Sequence, residues 1–308
     1  LKMNDSSQSS ALGDGRGIDH IGIATKDLEG ATHQYHQTLG FAAPQRTTLP
    51  NGVENSIIWF ADSTYLELFT FYDREKAGFL AAVVGDKEGG IFYALDISSA
   101  EETIAYLREK GFEVTEPIGG TTAVEGMTEA PPELWRYVMF TRPITVANEF
   151  FLVEYNRETL AELSQKYPGF NLATSAVHAN TAKSLKSVWV AVHDLDAAIQ
   201  AYNSIGLEVG EKAAVPQINA VGIAIEAARS AILLLEPDDP IGATATFLEQ
   251  RGPGVIGMSI EVENLQTADY LVKANTRRHF EPYWGTFGES ILIPAELTNG
   301  IWMELFEA

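Results

Sequence analysis

Asp19-His20-Ile21-Gly22-Ile23-Ala24, with a turn at Lys26-Asp27 and then Leu28, Ala31, Tyr35 and Leu39 before Gly40, reads as a strand feeding an amphipathic helix. The apolar period changes within a few residues from about 2 to about 3.6, which are the repeats of a strand and of a helix face. Gly40 supplies the left-handed stop that helix C-termini favour. Phe92-Tyr93-Ala94-Leu95-Asp96-Ile97 repeats the pattern, with Ser98-Ser99, then Ala100, Ile104 and Leu107, and Gly111. Val188-Trp189-Val190-Ala191-Val192 begins it again, with Asp194 as N-cap, Leu195, Ala198, Ile199 and Tyr202 as the stripe and Gly206 as the stop. The fourth copy runs Ile256-Gly257-Met258-Ser259-Ile260-Glu261-Val262, Asn264, then Leu265, Ala268, Leu271 and Val272, with Asn275 expected in the left-handed position.

Turn-rich β segments follow each helix, and every copy closes on an apolar strand: Tyr65-Leu66-Glu67-Leu68-Phe69, Phe151-Leu152-Val153-Glu154-Tyr155, Ala231-Ile232-Leu233-Leu234-Leu235 and Ile301-Trp302-Met303-Glu304-Leu305. The unit is therefore βαβββ. First-strand and last-strand positions lie roughly 47 residues apart in copies one, three and four, a period that chance does not reproduce. One copy leaves a sheet face uncovered, so copies must pair. The expected fold is α+β, four βαβββ units paired into two half-open mixed β-barrels. Expected bounds are a disordered leader over 1–16, a first domain over 17–157, a connector over 158–186 and a second domain over 187–308. The second unit is longer because of a Gly119-Gly120 to Pro132 insertion, placed to act as a lid.

The net charge of −21, from 21 Lys+Arg against 42 Asp+Glu, disfavours a nucleic-acid partner, since phosphate binding needs a clustered basic surface. Without cysteine there is no disulfide, thiolate metal site or cysteine nucleophile. No apolar run reaches the roughly 18 residues of a membrane span, so no membrane partner is expected. A cytoplasmic location is expected, with export left open. The Gly119-Gly120-Thr121-Thr122 run lacks the Lys of a phosphate loop, and no Gly-x-Ser-x-Gly elbow occurs.

An Asp-His-Ile opening strand and a Tyr-Leu-Glu-Leu closing strand in such a unit resemble the vicinal oxygen chelate superfamily of glyoxalases, extradiol dioxygenases and bleomycin-resistance proteins. Asn55, Leu134-Trp135-Arg136, Phe151-Leu152-Val153-Glu154-Tyr155 and His178-Ala179-Asn180 are similar to its glyoxalase-like branch. In that superfamily the first and last strands of paired units present metal ligands to one cup. The resemblance puts these positions at His20 and Glu67, then at Phe92 and Glu154, and in the second half at Ser187, Leu233, Gly257 and Glu304. It thus implies a divalent ion (Fe, Mn, Ni or Zn) on His20, Glu67 and Glu154, or no cofactor, and a C-terminal half without metal.

Such a metal would act as a Lewis acid on a small oxygen-chelating substrate, the implied activity being that of a lyase, isomerase or dioxygenase. Glu154 and Arg136 are the candidate catalytic pair, Arg136 gripping a substrate carboxylate. Asn55, Trp59, Tyr65, Phe92 and Trp135 are expected to touch the substrate, with Phe69 in the apolar wall and His178 filling the gap beside Phe92. Each has a plainer reading: His20 as a hydrogen-bonded strand-start residue, Arg136 as the partner of a carboxylate, and His178 as a solvated linker residue. The alternative function is metal-free binding and sequestration of a small ligand, as in resistance proteins. Expected partners are a small molecule and, through the C-terminal half, a second copy in a homodimer.

Overall fold

The computed structural model describes residues 10–122, 126–145, 150–167 and 176–308. Outside these lie residues 1–9 of the expected leader, 123–125 of the insertion and 168–175 of the connector. In the first half the strands are β1 (Gly17–Ala24), β2 (Gln45–Thr48), β3 (Val53–Trp59), β4 (Tyr65–Phe71), β5 (Gly89–Asp96), β6 (Ile118–Gly120), β7 (Trp135–Val138) and β8 (Phe150–Tyr155). The second half has β9 (Ala182–Ala191), β10 (Glu208–Val215), β11 (Ala220–Ala227), β12 (Ser230–Pro237), β13 (Gly254–Val262), β14 (Tyr283–Trp284), β15 (Glu289–Ile293) and β16 (Trp302–Glu307). The helices are α1 (Leu28–His33), α2 (Arg74–Val84), α3 (Ala100–Glu109), α4 (Arg157–Lys166), α5 (Leu195–Ser204), α6 (Ala243–Arg251) and α7 (Leu265–Thr276), α1 continuing as a π-helical Gln34–Thr38.

Among the described residues the strands form two eight-stranded sheets, β2-β3-β4-β1-β5-β8-β7-β6 and β10-β11-β12-β9-β13-β16-β15-β14. Each is two βαβββ units joined edge to edge, the α+β arrangement that the repeat predicts. Within a unit the first and last strands are parallel, His20 opposite Tyr65; between units the first strands are antiparallel, His20 opposite Ala94. The helices that follow these first strands all start alike. Asp27, Ser99, Asp194 and Asn264 each accept a hydrogen bond from the backbone N–H three residues on, which satisfies a donor the helix cannot. Gly40, Gly111 and Gly206 take positive φ as expected. In α7, however, Asn275 stays helical and spends its amide on the carbonyls of Gln37 and Thr38, while Arg277 adopts the left-handed cap.

The outward faces of both sheets and their helices bury one shared core, in which Ile21 and Ile23 belong with Val188, Val190, Met258 and Ile260. Polar ties cross the same interface: Tyr35 donates to the Thr298 carbonyl at 2.9 Å, and the Tyr93 and Tyr202 hydroxyls lie 2.6 Å apart. Residues 10–16, expected within a disordered leader, are also packed. Ala11 and Leu12 are buried, and the Ala11 N–H donates to the Ile205 carbonyl. Two apolar residues sealed against α5 and α3 outweigh the polar composition around them.

The inward faces differ between halves. At the position before the helix cap where β1 carries Gly22, β9 carries Trp189, which is wholly buried and lies over Gly257. Its indole donates to Ser187 and Ser259, at 3.1 and 2.9 Å, and Leu233, Leu235 and α6 residue Leu248 complete an apolar plug. The second cup is therefore filled by its own side chains. Trp189→Ala should lower unfolding free energy by about 3–5 kcal/mol, the range for emptying a buried aromatic site. Urea titration checks this, and a loss under about 1 kcal/mol would show that the plug collapses or refills.

Candidate functional site in the N-terminal cup

In the first cup Gly22 lies under the ring of Phe92, and the trough beyond that ring stays open. A cavity of about 1050 Å³ runs along it, walled by β1, β3, β4, β5, β7 and β8 and covered at one side by α2, which presents Ala77, Phe79, Leu80 and Val83. Helix α2 is broken at Gly78, whose φ of 51° and ψ of −115° suit glycine alone. Beyond the break Phe79 is 64% exposed and Val83 41%, so the apolar edge of this helix faces the mouth rather than a core.

His20 sits at the centre of the cup wall. Its Nδ1 lies 2.7 Å from Asp19 Oδ2, and that oxygen also accepts from the Tyr155 hydroxyl at 2.9 Å. A carboxylate beside Nδ1 makes that nitrogen the proton-bearing one and leaves Nε2 as an acceptor. Nε2 lies 3.8 Å from Glu67 Oε2, and Asn55 Nδ2 donates to the other Glu67 oxygen at 2.8 Å. Burial pushes the Tyr65 and Tyr155 hydroxyls well above the usual range, with the charge of Asp19 adding to it, so both remain protonated. The imidazole stacks on Tyr65 at 4.3 Å and meets the rings of Phe92 and Phe151 edge-on. Two buried polar atoms of the same wall, Asn55 Oδ1 and Trp59 Nε1, have no hydrogen-bond partner among the described residues. Groups so placed are satisfied by water or by a ligand.

Of the residues expected from the sequence, His20, Asn55, Trp59, Tyr65, Glu67, Phe92 and Trp135 line this cavity together. Glu154 and Arg136 lie elsewhere. Along β8 it is Phe151, Val153 and Tyr155 that face the cup, and the alternation turns Glu154 outward. There its Oε2 accepts from Arg136 at 2.6 Å and from the Ala100 N–H at 3.1 Å, at the start of α3. Arg136 also forks onto Glu101, at 2.5 and 3.0 Å, and its hydrogen bonds to Glu101 and then Glu154 hold its pKa up. The pair is a surface ion cluster fixing a helix start.

The reason is register. Bulges at Asp19 and Ile91 mark equivalent points of β1 and β5, which makes His20 the counterpart of Phe92. Glu67 pairs with Gly22, and the residue paired with Ala94 in the same way is Phe151. The second unit therefore offers phenylalanine at both ligand positions, and the insertion before β7 had displaced the sequence match onto Glu154. His178 is likewise spent: its Nδ1 accepts from the Ala42 N–H at 2.8 Å and its Nε2 donates to the Trp59 carbonyl at 2.9 Å. It is buried and does not line the cavity.

A divalent ion would find His20 and Glu67 here, with phenylalanine rings where two further donors would stand. That is one donor short of the three protein ligands an open catalytic site keeps. Among the described residues no group of three His, Cys, Asp or Glu converges. The donor set does not fit a resident metal. Sequence reading missed Asp19, Phe151, Tyr155 and α2. Asp19 was legible as the residue preceding His20, but only the bulge explains why two neighbours share one side of the strand.

Residues 18–206, more than half of the chain, match the model of the glyoxalase-like domain. The chain belongs to this family. A glyoxalase-like protein of this shape has a full-length counterpart in a hypothetical protein from Staphylococcus aureus, with a TM-score of 0.59, 12% identity, and coverage of 94% of this chain and 98% of that one. That likeness concerns the fold. Methylmalonyl-CoA epimerase from Mycobacterium tuberculosis matches with a TM-score of 0.38 and 24% identity over 41% of this chain and 89% of its own. The Streptomyces coelicolor enzyme matches with 0.38 and 21% over 41% and 95%. No curated protein matches the sequence. Among the described residues no helix is long and apolar enough to cross a membrane.

Burial holds His178 below the ordinary histidine range. The unfolded chain therefore takes up this proton at higher pH than the folded one, so stability is complete above about pH 6.5 and falls as pH drops below it. His178→Asn should cost about 1–3 kcal/mol at pH 7.5 by stranding the Ala42 N–H or the Trp59 carbonyl. It should also flatten the decline between pH 7.5 and 5.5 in urea midpoints. An unchanged decline would assign the acid sensitivity to other groups.

Proposed function

We propose that the N-terminal cup binds one small, largely apolar molecule and moves a proton on it, with His20 Nε2 as the base and Glu67 beside it. The observation behind this reading is the clamp on His20. Asp19 and Tyr155 fix one ring nitrogen so that the other, next to a carboxylate, is the basic atom left to the cavity. The rings of Tyr65, Phe92 and Phe151 pack round it, and a bound molecule that displaces water there strengthens its own polar contacts. Trp59 Nε1 and Asn55 Oδ1, both without a partner among the described residues, are available to an oxygen and to a hydroxyl or amide of that molecule. As a proton leaves carbon, charge developing on a neighbouring oxygen is stabilised by the indole N–H. The asymmetric pair of an imidazole and a carboxylate suits removal of a proton at one atom and its return at another, which is isomerase chemistry.

Solvent deuterium incorporation into phenylacetone, followed by proton NMR, tests the chemistry on a neutral aromatic carbon acid. His20→Gln should slow incorporation by about 100-fold or more. N-phenyl-1-naphthylamine fluorescence should show cup binding within about twofold of the parent, since this substitution keeps the wall. Incorporation that survives His20→Gln would sink the assignment of the base. Phe92 and Phe151 at the former ligand positions favour a second reading, sequestration without chemistry; dye binding with no incorporation in the parent protein would select it.

A further inference from the structure

The chain carries −21 net charge, yet one cleft gathers Arg16, Lys183, Lys186 and Arg229. This cleft, about 420 Å³, lies where the two halves meet and contains only Asp62 and Glu261 as acids. Lys183 is paired with Glu261 at 3.0 Å, and Asp62 is occupied by the N–H and hydroxyl of Thr64. The remaining cations are left facing the cleft. Lys186 reaches the Arg229 carbonyl at 2.7 Å, which draws its ammonium towards the Arg229 backbone.

Arg16 and Arg229 are brought together by the main chain. The Arg229 N–H donates to the Arg16 carbonyl, and Gly17 bridges Ala228 in antiparallel fashion. Among the described residues neither guanidinium forms an ion pair or a side-chain hydrogen bond, while the Arg16 backbone N–H donates to Asp96 Oδ2 at 2.8 Å and the two charges attract. Arg16, Lys186 and Arg229 therefore put three cationic side chains on one cleft of an acidic chain. An anion seated there meets opposite charge and uses the planar donor forks for which arginine is suited.

The cleft is continuous with the cup, since Arg16, Ile18, Asp62 and Thr64 line both. We infer that it is an anion subsite, and that the molecule whose apolar part enters the cup carries a phosphate or carboxylate bound by Arg16, Lys186 and Arg229. This rests on the cup being the ligand site proposed above. The substrate class is then an amphipathic acid or phosphoester with its reacting carbon near His20.

A matched pair of dyes separates the two parts: 8-anilinonaphthalene-1-sulfonate, which is anionic, and neutral N-phenyl-1-naphthylamine. The Arg16→Gln/Arg229→Gln variant keeps the backbone bridge and should weaken the anionic dye about 5- to 50-fold while moving the neutral one less than about twofold. Arg16→Lys/Arg229→Lys should recover most of the loss, and added salt should mimic the Gln variant. Equal shifts for both dyes, or none for the anionic one, overturn the subsite. If neither dye binds the parent, the cup reading fails. The subsite is then judged by line broadening of inorganic phosphate in phosphorus NMR and of labelled acetate in carbon NMR. Broadening abolished by the Gln variant sustains it and tells which anion is preferred; no broadening overturns it.

Discussion

The antiparallel pairing of first strands, β1 with β5 and β9 with β13, is the contact on which everything else depends. A single βαβββ unit has a curved sheet with one face under its helix and the other bare. Joining two units along their first strands makes the bare faces the inside of a trough and fixes which residues look into it. Because side chains alternate along a strand, one bulge decides the matter. At Asp19 and at Ile91 the ladder shifts by one residue, so that Asp19 and His20 both serve the same side. The hydrogen bond between these chain neighbours is a product of that irregularity.

The repeat was legible because helix caps and stops recur in the four copies, and these are local chemistry: a short polar side chain before the helix, glycine after it. Fold and cup-facing residues of the first unit followed directly. Glu154 was placed wrongly for a different reason. In β8 a glutamate occurs within a stretch that resembles β4, but the strands are aligned by backbone pairing with β5, and that register puts Phe151 in the place of Glu67. Sequence similarity of short strands cannot see a pairing made across an insertion. Arg136 was likewise read as a ligand clamp, when the carboxylates of Glu101 and Glu154 on its own face already claim all it can donate there. In the sequence His178 reads as a linker residue or a substrate contact, because the residues its two nitrogens bridge, Ala42 and Trp59, lie far away along the chain.

The two cups show how little sequence separates a cavity from a core. Gly22 and Trp189 stand at the same point of the repeat, and each half sets one aromatic ring over a glycine of the paired first strand, Phe92 over Gly22 and Trp189 over Gly257, but only in the second half do Leu233, Leu235 and Leu248 join the ring in an apolar plug. Once the second cup is filled, Glu304 is stranded inside it. Burial pushes its carboxyl up; Tyr283 donates to Oε1 at 2.6 Å, and among the described residues Oε2 has no hydrogen-bond partner. A carboxylate at the matching position of the first cup, Glu67, keeps a route to solvent and an imidazole for company.

The shared core has a consequence for how the molecule comes apart. Ile21 and Ile23 on one sheet, and Val188 and Val190 on the other, bury their surface against a common set of neighbours, and α5 and residues 10–12 straddle the divide. Neither half can be peeled away without exposing a broad apolar face to water, so an excised half would be an aggregation-prone fragment. Heat or denaturant should melt the two halves in one cooperative step.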